Sequence, residues 1–322
     1  MRAGVGLISL LLLSAAFVHA QSYSERIAKE FPDVGLVLAR DASELPADLS
    51  DIDVLVAFGV AVDDEIVARL RALKWIQSLA TGVDHFLRFP SLPRHIIITS
   101  TRGIHGAPMR ETVVYLMTAV SREAPRLMAA QKAHIWDRLA WNMLAGKTAV
   151  VVGIGISGTA IGQLLHALDM NVIGVTRTPR AIDGFAATIA TDRLVDAAAQ
   201  ADYLINVLPA NDDNAGIFGR EVFAAMKQSA YFINVGRGQT VDETALVACL
   251  RERRIAGAGL DVFESFPLPP TSPLWDLPNV VITPHIGGHV RDYAALAIPI
   301  VMDNLRLFLA GRAAEMRNIV EH

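Results

Sequence analysis

The chain has 322 residues, 29 basic against 33 acidic for a formal charge of −4, with 52% apolar and 19% charged residues. At roughly 100–200 residues per domain this length suits two globular domains, and the composition excludes a disordered chain, a repeat array and a membrane bundle. The charge balance lacks a nucleic-acid footprint, and the single cysteine, Cys249, excludes an intrachain disulfide or a cysteine zinc site, so no nucleic acid, membrane or metal partner is expected.

The first twenty residues read two ways. Arg2, an apolar run to Val18, and Val18-His19-Ala20 before Gln21 imitate a secretory signal with its cleavage site. The competing reading is a buried strand near Leu10–Leu13 followed by a helix within Ala15–Phe31. Cleavage after Ala20 would remove the opening strand of an α/β domain, which favours the strand and a cytoplasmic protein while leaving secretion open. Further strands are expected at Gly35–Leu38, Val54–Phe58, Ile76–Leu79 and Ile96–Thr99, separated by amphipathic stretches in the pattern of a parallel, doubly wound sheet. Ala107 to Trp136 then carries Met109, Val113, Leu116, Met117 and Val120 at helical spacing, which predicts a long helix or helix pair crossing between domains. A second α/β unit opens at Lys147, with strands at Ala149–Val152, Val172–Val175, Tyr203–Val207, Tyr231–Val235, Ala258–Val262 and Val280–Ile282. Cys249 falls with Leu246 and Leu250 on the apolar face of a helix and reads as core. A last helix, Tyr293–Leu309, can return to the first domain, so the expected division is 1–100 with 288–322, and an inserted 101–287.

The strand Ala149–Val152 runs directly into Gly153-Ile154-Gly155-Ile156-Ser157-Gly158 and then a helical pattern from Thr159 to Leu168. That context makes the spacing a dinucleotide fingerprint. Gly153 permits the tight turn, Gly155 removes a side chain that would block the pyrophosphate, and Gly158 allows close packing of helix and strand. The helix N-terminus adds amide donors and a positive dipole end. The second strand ends in Thr176-Arg177-Thr178-Pro179-Arg180, with no carboxylate to take a ribose 2′-hydroxyl. Arg177 and Arg180, with the hydroxyls of Thr176 and Thr178, suit a 2′-phosphate, which favours NADP over NAD. The bland alternative is that both arginines are solvated loop residues.

Further segments, in order, carry a resemblance. They are Leu79-Ala80-Thr81-Gly82-Val83-Asp84-His85, Phe232-Ile233-Asn234-Val235-Gly236-Arg237-Gly238, Gly257-Ala258-Gly259-Leu260-Asp261-Val262-Phe263, Ser272-Pro273-Leu274-Trp275 and Ile282-Thr283-Pro284-His285-Ile286-Gly287-Gly288. With the fingerprint they resemble the D-isomer-specific 2-hydroxyacid dehydrogenases over most of the chain, and Ala107-Pro108-Met109, the Gln131 to Trp136 stretch and the arginine-bearing second strand resemble the glyoxylate and hydroxypyruvate reductases most nearly. The resemblance implies a flavodoxin-like substrate domain with an inserted Rossmann domain, a homodimer, and hydride transfer between NAD(P)H and a small 2-oxo acid. It implies that amides at Gly82 and Val83 and the guanidinium of Arg237 hold the substrate, and that His285 is the acid/base. Cofactor contacts are implied at Gly153, Gly155, Ile156, Ser157, Gly158, Thr176, Arg177, Thr178, Arg180, Leu208, Pro209, Val235, Gly236, Asp261 and Gly287, with Asp261 on the nicotinamide carboxamide. His85 and His105 are assigned no more than a place in the lining of the cleft.

The chemistry accounts for these residue types. A planar guanidinium binds a carboxylate bidentately and orients the neighbouring carbonyl, and a histidine of ordinary pKa near 6.5 gives the proton that the reduced oxygen needs. One position departs from the family: Phe266 stands where its catalytic glutamate precedes a proline. Either Glu264 reaches the site by another loop path, or His285 works with a weaker partner, or ordinary chemistry is lost. The last case keeps a second reading open, a dinucleotide-sensing binding protein on the same fold.

Overall fold

The structure is a computed structural model that describes residues 8–13 and 17–321. Its elements in chain order begin with β1 (Ser9–Leu13), α1 (Phe17–Glu30), β2 (Gly35–Ala39), β3 (Val54–Ala57), α2 (Asp64–Arg69), β4 (Trp75–Ser78) and β5 (Ile97–Thr99). They continue with α3 (Gly106–Ser121), α4 (Ala124–Lys132), β6 (Thr148–Val152), α5 (Ile156–Ala167), β7 (Asn171–Thr176), β8 (Ala187–Ala190), α6 (Leu194–Gln200) and β9 (Tyr203–Asn206). The remainder is α7 (Arg220–Ala225), β10 (Tyr231–Asn234), α8 (Glu243–Arg251), β11 (Gly257–Leu260), β12 (Val280–Ile282) and α9 (Tyr293–Leu309). The chain divides into two compact units, 1–104 with 291–322, and 105–290.

In the first unit the strands run parallel in the order β2-β1-β3-β4-β5, which is flavodoxin-like. The strand expected at Leu10–Leu13 is present between two neighbours, with Leu10 opposite Leu36 on one side and Val54 on the other. Leu10, Leu11, Leu12 and Leu13 are all fully buried, as a parallel strand covered on both faces requires. A buried polar group joins α9 to this sheet. Trp75 Nε1 donates to Thr99 Oγ1 at 2.8 Å, and the Thr99 hydroxyl and Asn304 Nδ2 both donate to Gln77 Oε1, at 2.8 and 2.9 Å.

The second unit has a seven-stranded parallel sheet in the order β12-β11-β10-β9-β6-β7-β8. Counted within the unit this is a Rossmann order with one added strand, and its direction of winding reverses between β6 and β9. The edge strand β8 goes beyond the six strands expected from sequence, because Ala187-Thr188-Ile189-Ala190 is half-exposed and carries no long apolar run. The segment expected as a helix or helix pair is a pair. It breaks at Glu123, which takes a left-handed φ of 50°, and Pro125 opens the second helix. Within the second unit α3 packs on the sheet, where Gly257 and Gly259 leave room for Val120 and Leu116. No helix among the described residues is long and apolar enough to cross a membrane.

The burial of β1 makes a prediction. Each buried leucine contributes about 1.5–3 kcal/mol, so β1's four amount to a large share of a typical domain stability of about 5–15 kcal/mol. Deleting residues 1–20 is expected to give insoluble protein, or protein without a cooperative melt by circular dichroism. A soluble, cooperatively melting truncation would refute this.

Candidate active site

The winding reversal between β6 and β9 opens a crevice at the carboxyl ends of these strands, and the glycine loop lies there. Gly153 has a left-handed φ of 99°, and a β-carbon on it would stand 3.0–3.1 Å from the backbone of Val207 and Leu208. Nothing lies within 4 Å of where a β-carbon on Gly155 would be, which leaves the approach to the loop open. A β-carbon on Gly158 would overlap the Gly153 carbonyl at 2.0 Å, so this glycine closes the turn as well as packing helix against strand. Helix α5 begins at Ile156, three residues before the expected start, with Gly155 as its N-cap. The amides of Ile156, Ser157 and Gly158 are therefore first-turn donors with no preceding turn to accept them. This donor set fits a pyrophosphate.

At the end of β7, Thr176 is half-buried and Arg177, Thr178 and Arg180 are exposed. The Arg180 backbone is fixed by Thr188, whose hydroxyl accepts from Arg180 N at 2.9 Å and donates to its carbonyl at 2.8 Å. Neither guanidinium has an ion-pair partner among the described residues, so both remain available to an anion.

Arg237 and His285 follow the carboxyl ends of β10 and β12 in the same sheet. Arg237 Nη1 donates to the Gly236 carbonyl at 2.9 Å, and the Thr240 hydroxyl donates to the Arg237 carbonyl at 2.6 Å. His285 takes a left-handed φ of 56°, a conformation that costs a residue with a β-carbon about 1–3 kcal/mol. Asp261 holds it there. Its carbonyl accepts from His285 N at 2.9 Å. Its carboxylate accepts from the Thr283 hydroxyl at 2.6 Å, Ile286 N at 3.0 Å and Gly287 N at 2.9 Å. Of about four acceptor positions on a carboxylate, three are thus taken within the chain. On the other side of the turn, the Thr112 hydroxyl of α3 donates to the Gly287 carbonyl at 3.1 Å.

The Phe266 ring meets the His285 imidazole edge to face, with centroids 5.5 Å apart. Glu264 is exposed. Its amide is bound by the Glu243 carboxylate at 3.1 Å and its carbonyl by Gln239 at 3.2 Å. The charged groups acting on His285 are Asp261 and Arg237. Partial desolvation of the ring, in a residue that is otherwise exposed, holds the imidazole below its ordinary pKa, Asp261 opposes this and Arg237 adds to it. In the first unit, the loop after β4 is anchored where Tyr293 donates its hydroxyl to the Leu79 carbonyl and Thr101 N donates to the Ala80 carbonyl at 3.2 Å. The amides of Gly82 and Val83 in that loop have no acceptor among the described residues.

Residues 114–287 match the NAD binding domain of the D-isomer specific 2-hydroxyacid dehydrogenases. The chain belongs to that family. It is 34% identical to glyoxylate/hydroxypyruvate reductase B of Escherichia fergusonii, over 78% of this chain and 79% of that one. It is 31% identical to D-3-phosphoglycerate dehydrogenase of Methanocaldococcus jannaschii over 90% of its own length, and spans 56% of that enzyme. Among solved structures, a D-isomer specific 2-hydroxyacid dehydrogenase family protein from Aeromonas salmonicida superposes with a TM-score of 0.89 at 30% identity, covering 98% of this chain and 99% of that one. An NADPH-dependent glyoxylate/hydroxypyruvate reductase from Sinorhizobium meliloti, in complex with NADP and sulfate, gives 0.84 at 29% identity, covering 98% of each chain.

His105, expected only to line the cleft, packs against Gly288, where a β-carbon would stand 2.8 Å from its ring, and burial followed by the charge of Arg237 lowers its pKa. Four further residues near the candidate site escaped the sequence reading. Thr112, Asn206, Asn234 and Thr240 bear on the site only through backbone groups that tertiary packing brings to them. Glu264 and Phe266 lead to a prediction. Phe266→Glu is expected to raise the His285 pKa, read from its imidazole proton shifts by NMR, because a carboxylate favours the charged ring. Glu264→Gln is expected to leave it in place. A shift with Glu264→Gln and none with Phe266→Glu would make Glu264 the partner.

Proposed function

We propose that the chain reduces a small 2-oxo acid of the glyoxylate or hydroxypyruvate type to the corresponding 2-hydroxy acid, of D configuration where C2 is a stereocentre, taking NADPH in preference to NADH. The observation that carries this reading is that Arg237 and His285 follow the carboxyl ends of β10 and β12 in one sheet, the sheet whose β6 runs into the glycine loop. The glycine loop and first-turn amides of α5 would hold the pyrophosphate, Leu208, Pro209, Val235, Gly236 and Gly287 would line the rest of the cofactor, and Arg177 and Arg180 would take a 2′-phosphate. NADPH, when bound, supplies the hydride. Arg237 binds the substrate carboxylate through two parallel hydrogen bonds and thereby aims the 2-oxo group. The amides of Gly82 and Val83, in the first unit, are donors of the kind a carboxylate takes. His285 gives its proton to the oxygen that becomes the hydroxyl, and takes it back in oxidation. The reductases of Escherichia fergusonii and Sinorhizobium meliloti, the second with NADP bound, support both the substrate class and the cofactor preference.

A homodimer belongs to the same reading. Met128, Ile135, Trp136 and Met143 on and after α4 are strongly exposed, Trp136 at 91%, which is the apolar surface a second copy would cover. The sensor reading rests on Phe266, which meets His285 where a carboxylate would assist it.

Oxidation of NADPH and NADH with glyoxylate, hydroxypyruvate, pyruvate and phenylpyruvate separates the two readings, because a sensor binds NADPH and turns over none of the acids. Reduction uses protonated His285, and its folded pKa lies below the ordinary value. The rate of reduction is therefore expected to fall as pH rises through that lowered pKa, with the falling limb moving to higher pH in Phe266→Glu. A limb unmoved in that variant would remove His285 as the titrating donor. Arg177→Asp is expected to weaken NADPH binding by about 1–3 kcal/mol and NADH far less, by fluorescence titration. Equal losses for both cofactors would refute the 2′-phosphate assignment.

A further inference from the structure

Beneath the two loops that carry the proposed cofactor and substrate contacts lie three polar side chains that the proposed reaction does not use. Asn206 ends β9, Asn234 ends β10, and Thr240 follows Arg237 by three residues; Asn206 and Thr240 are fully buried and Asn234 is 2% exposed. Asn206 Nδ2 donates to Asn234 Oδ1 at 2.8 Å and to Thr240 Oγ1 at 2.7 Å, while its Oδ1 accepts from Leu208 N at 3.0 Å. Asn234 Oδ1 accepts a second bond from Gly236 N at 3.2 Å, and the Thr240 hydroxyl donates to the Arg237 carbonyl at 2.6 Å. Both amide protons of Asn206 and its oxygen are thus committed, and each bond has one orientation only.

The backbone groups at the ends of this network belong to the two loops in question. Leu208 lies in the loop after β9, and Gly236 and Arg237 form the loop after β10. The loops abut: a β-carbon on Gly236 would stand 2.7 Å from the Leu208 carbonyl oxygen and 2.8 Å from its nitrogen. Arg237 Nη1 is bonded in turn to the Gly236 carbonyl at 2.9 Å, in the peptide that lies between the two backbone groups the network holds, Gly236 N and the Arg237 carbonyl.

We propose that Asn206, Asn234 and Thr240 are positioning residues that couple the cofactor loop at Leu208 to the guanidinium of Arg237. This rests on the reading in which Leu208 contacts the dinucleotide and Arg237 the substrate carboxylate. A network that only satisfied buried groups would support stability alone. This one fixes the carbonyl of Arg237 through Thr240 and the amides of Gly236 and Leu208 through the asparagines. Loss of the Thr240 hydroxyl releases the Arg237 carbonyl directly and leaves the bond from Leu208 N to Asn206 Oδ1 in place, whereas a change at Asn206 disturbs both.

The test uses the full chain and four variants. NADPH affinity is read by fluorescence, the affinity of the NADPH-loaded protein for oxalate by calorimetry, and KM and kcat with glyoxylate, with thermal melts alongside. Thr240→Val, which keeps the shape, is expected to weaken oxalate about ten-fold or more, and to raise KM more than it lowers kcat, with NADPH affinity within about two-fold. Thr240→Ser restores the hydroxyl and is expected to restore oxalate affinity. Asn206→Asp, which puts an acceptor where two donors stood, is expected to weaken NADPH and oxalate together. Arg237→Met is the control for the underlying reading. If it leaves oxalate binding unchanged, the assignment of Arg237 falls and the proposal with it. If Arg237→Met abolishes oxalate binding while Thr240→Val and Asn206→Asp lower only the melting temperature, the coupling alone is overturned.

Discussion

A parallel sheet leaves the backbone amides and carbonyls past its carboxyl edge without ladder partners, and a buried group left unpaired costs about 1–3 kcal/mol. In the second unit that requirement is met by side chains at the strand ends. Asn206 and Asn234 take up the amides of Leu208 and Gly236, and Asp261 takes up those of Ile286 and Gly287. Because the same loops carry the candidate catalytic groups, satisfying the edge also sets where Arg237 and His285 stand. Stability and function share one set of hydrogen bonds here.

The site's electrostatics follow from what surrounds His285. Partial desolvation of the ring and the Arg237 cation both disfavour the imidazolium, and Asp261 is the carboxylate that opposes them. Much of what that carboxylate offers is already spent on the Thr283 hydroxyl and the Ile286 and Gly287 amides, while Phe266 gives the ring an aromatic edge contact. An acid whose conjugate base is favoured donates readily once protonated but is protonated only at lower pH. Phe266 places an aromatic ring, and no charge, against His285.

Much of this was legible in the residues. The apolar runs marked the strands wherever both faces are covered, as at Leu10–Leu13 and Thr148–Val152, because continuous burial demands continuous apolar character. The glycine spacing after β6 was legible because backbone geometry at Gly153 and close packing at Gly158 tolerate no side chain. The edge strand β8 was not, since a half-exposed strand of alanines, a threonine and one isoleucine leaves little periodic signal. The start of α5 at Ile156 was also missed, because the glycine and serine in its first turn have weak helix preference and are placed there by the strand and turn before them.

The sequence by itself determined the α/β class and, through a glycine spacing set between a strand and a helix, the dinucleotide fingerprint. Arg237, His285 and the absence of a glutamate at Phe266 were singled out by resemblance to the family, not by local spacing. Tertiary structure decided which groups act on one another: that Asp261 pins the His285 turn, that Phe266 meets the imidazole, that Glu264 is turned to solvent, and that Asn206 bonds to partners 28 and 34 residues away. Parallel strands bring distant segments to a common edge, and no local pattern encodes which side chain will meet which backbone group there.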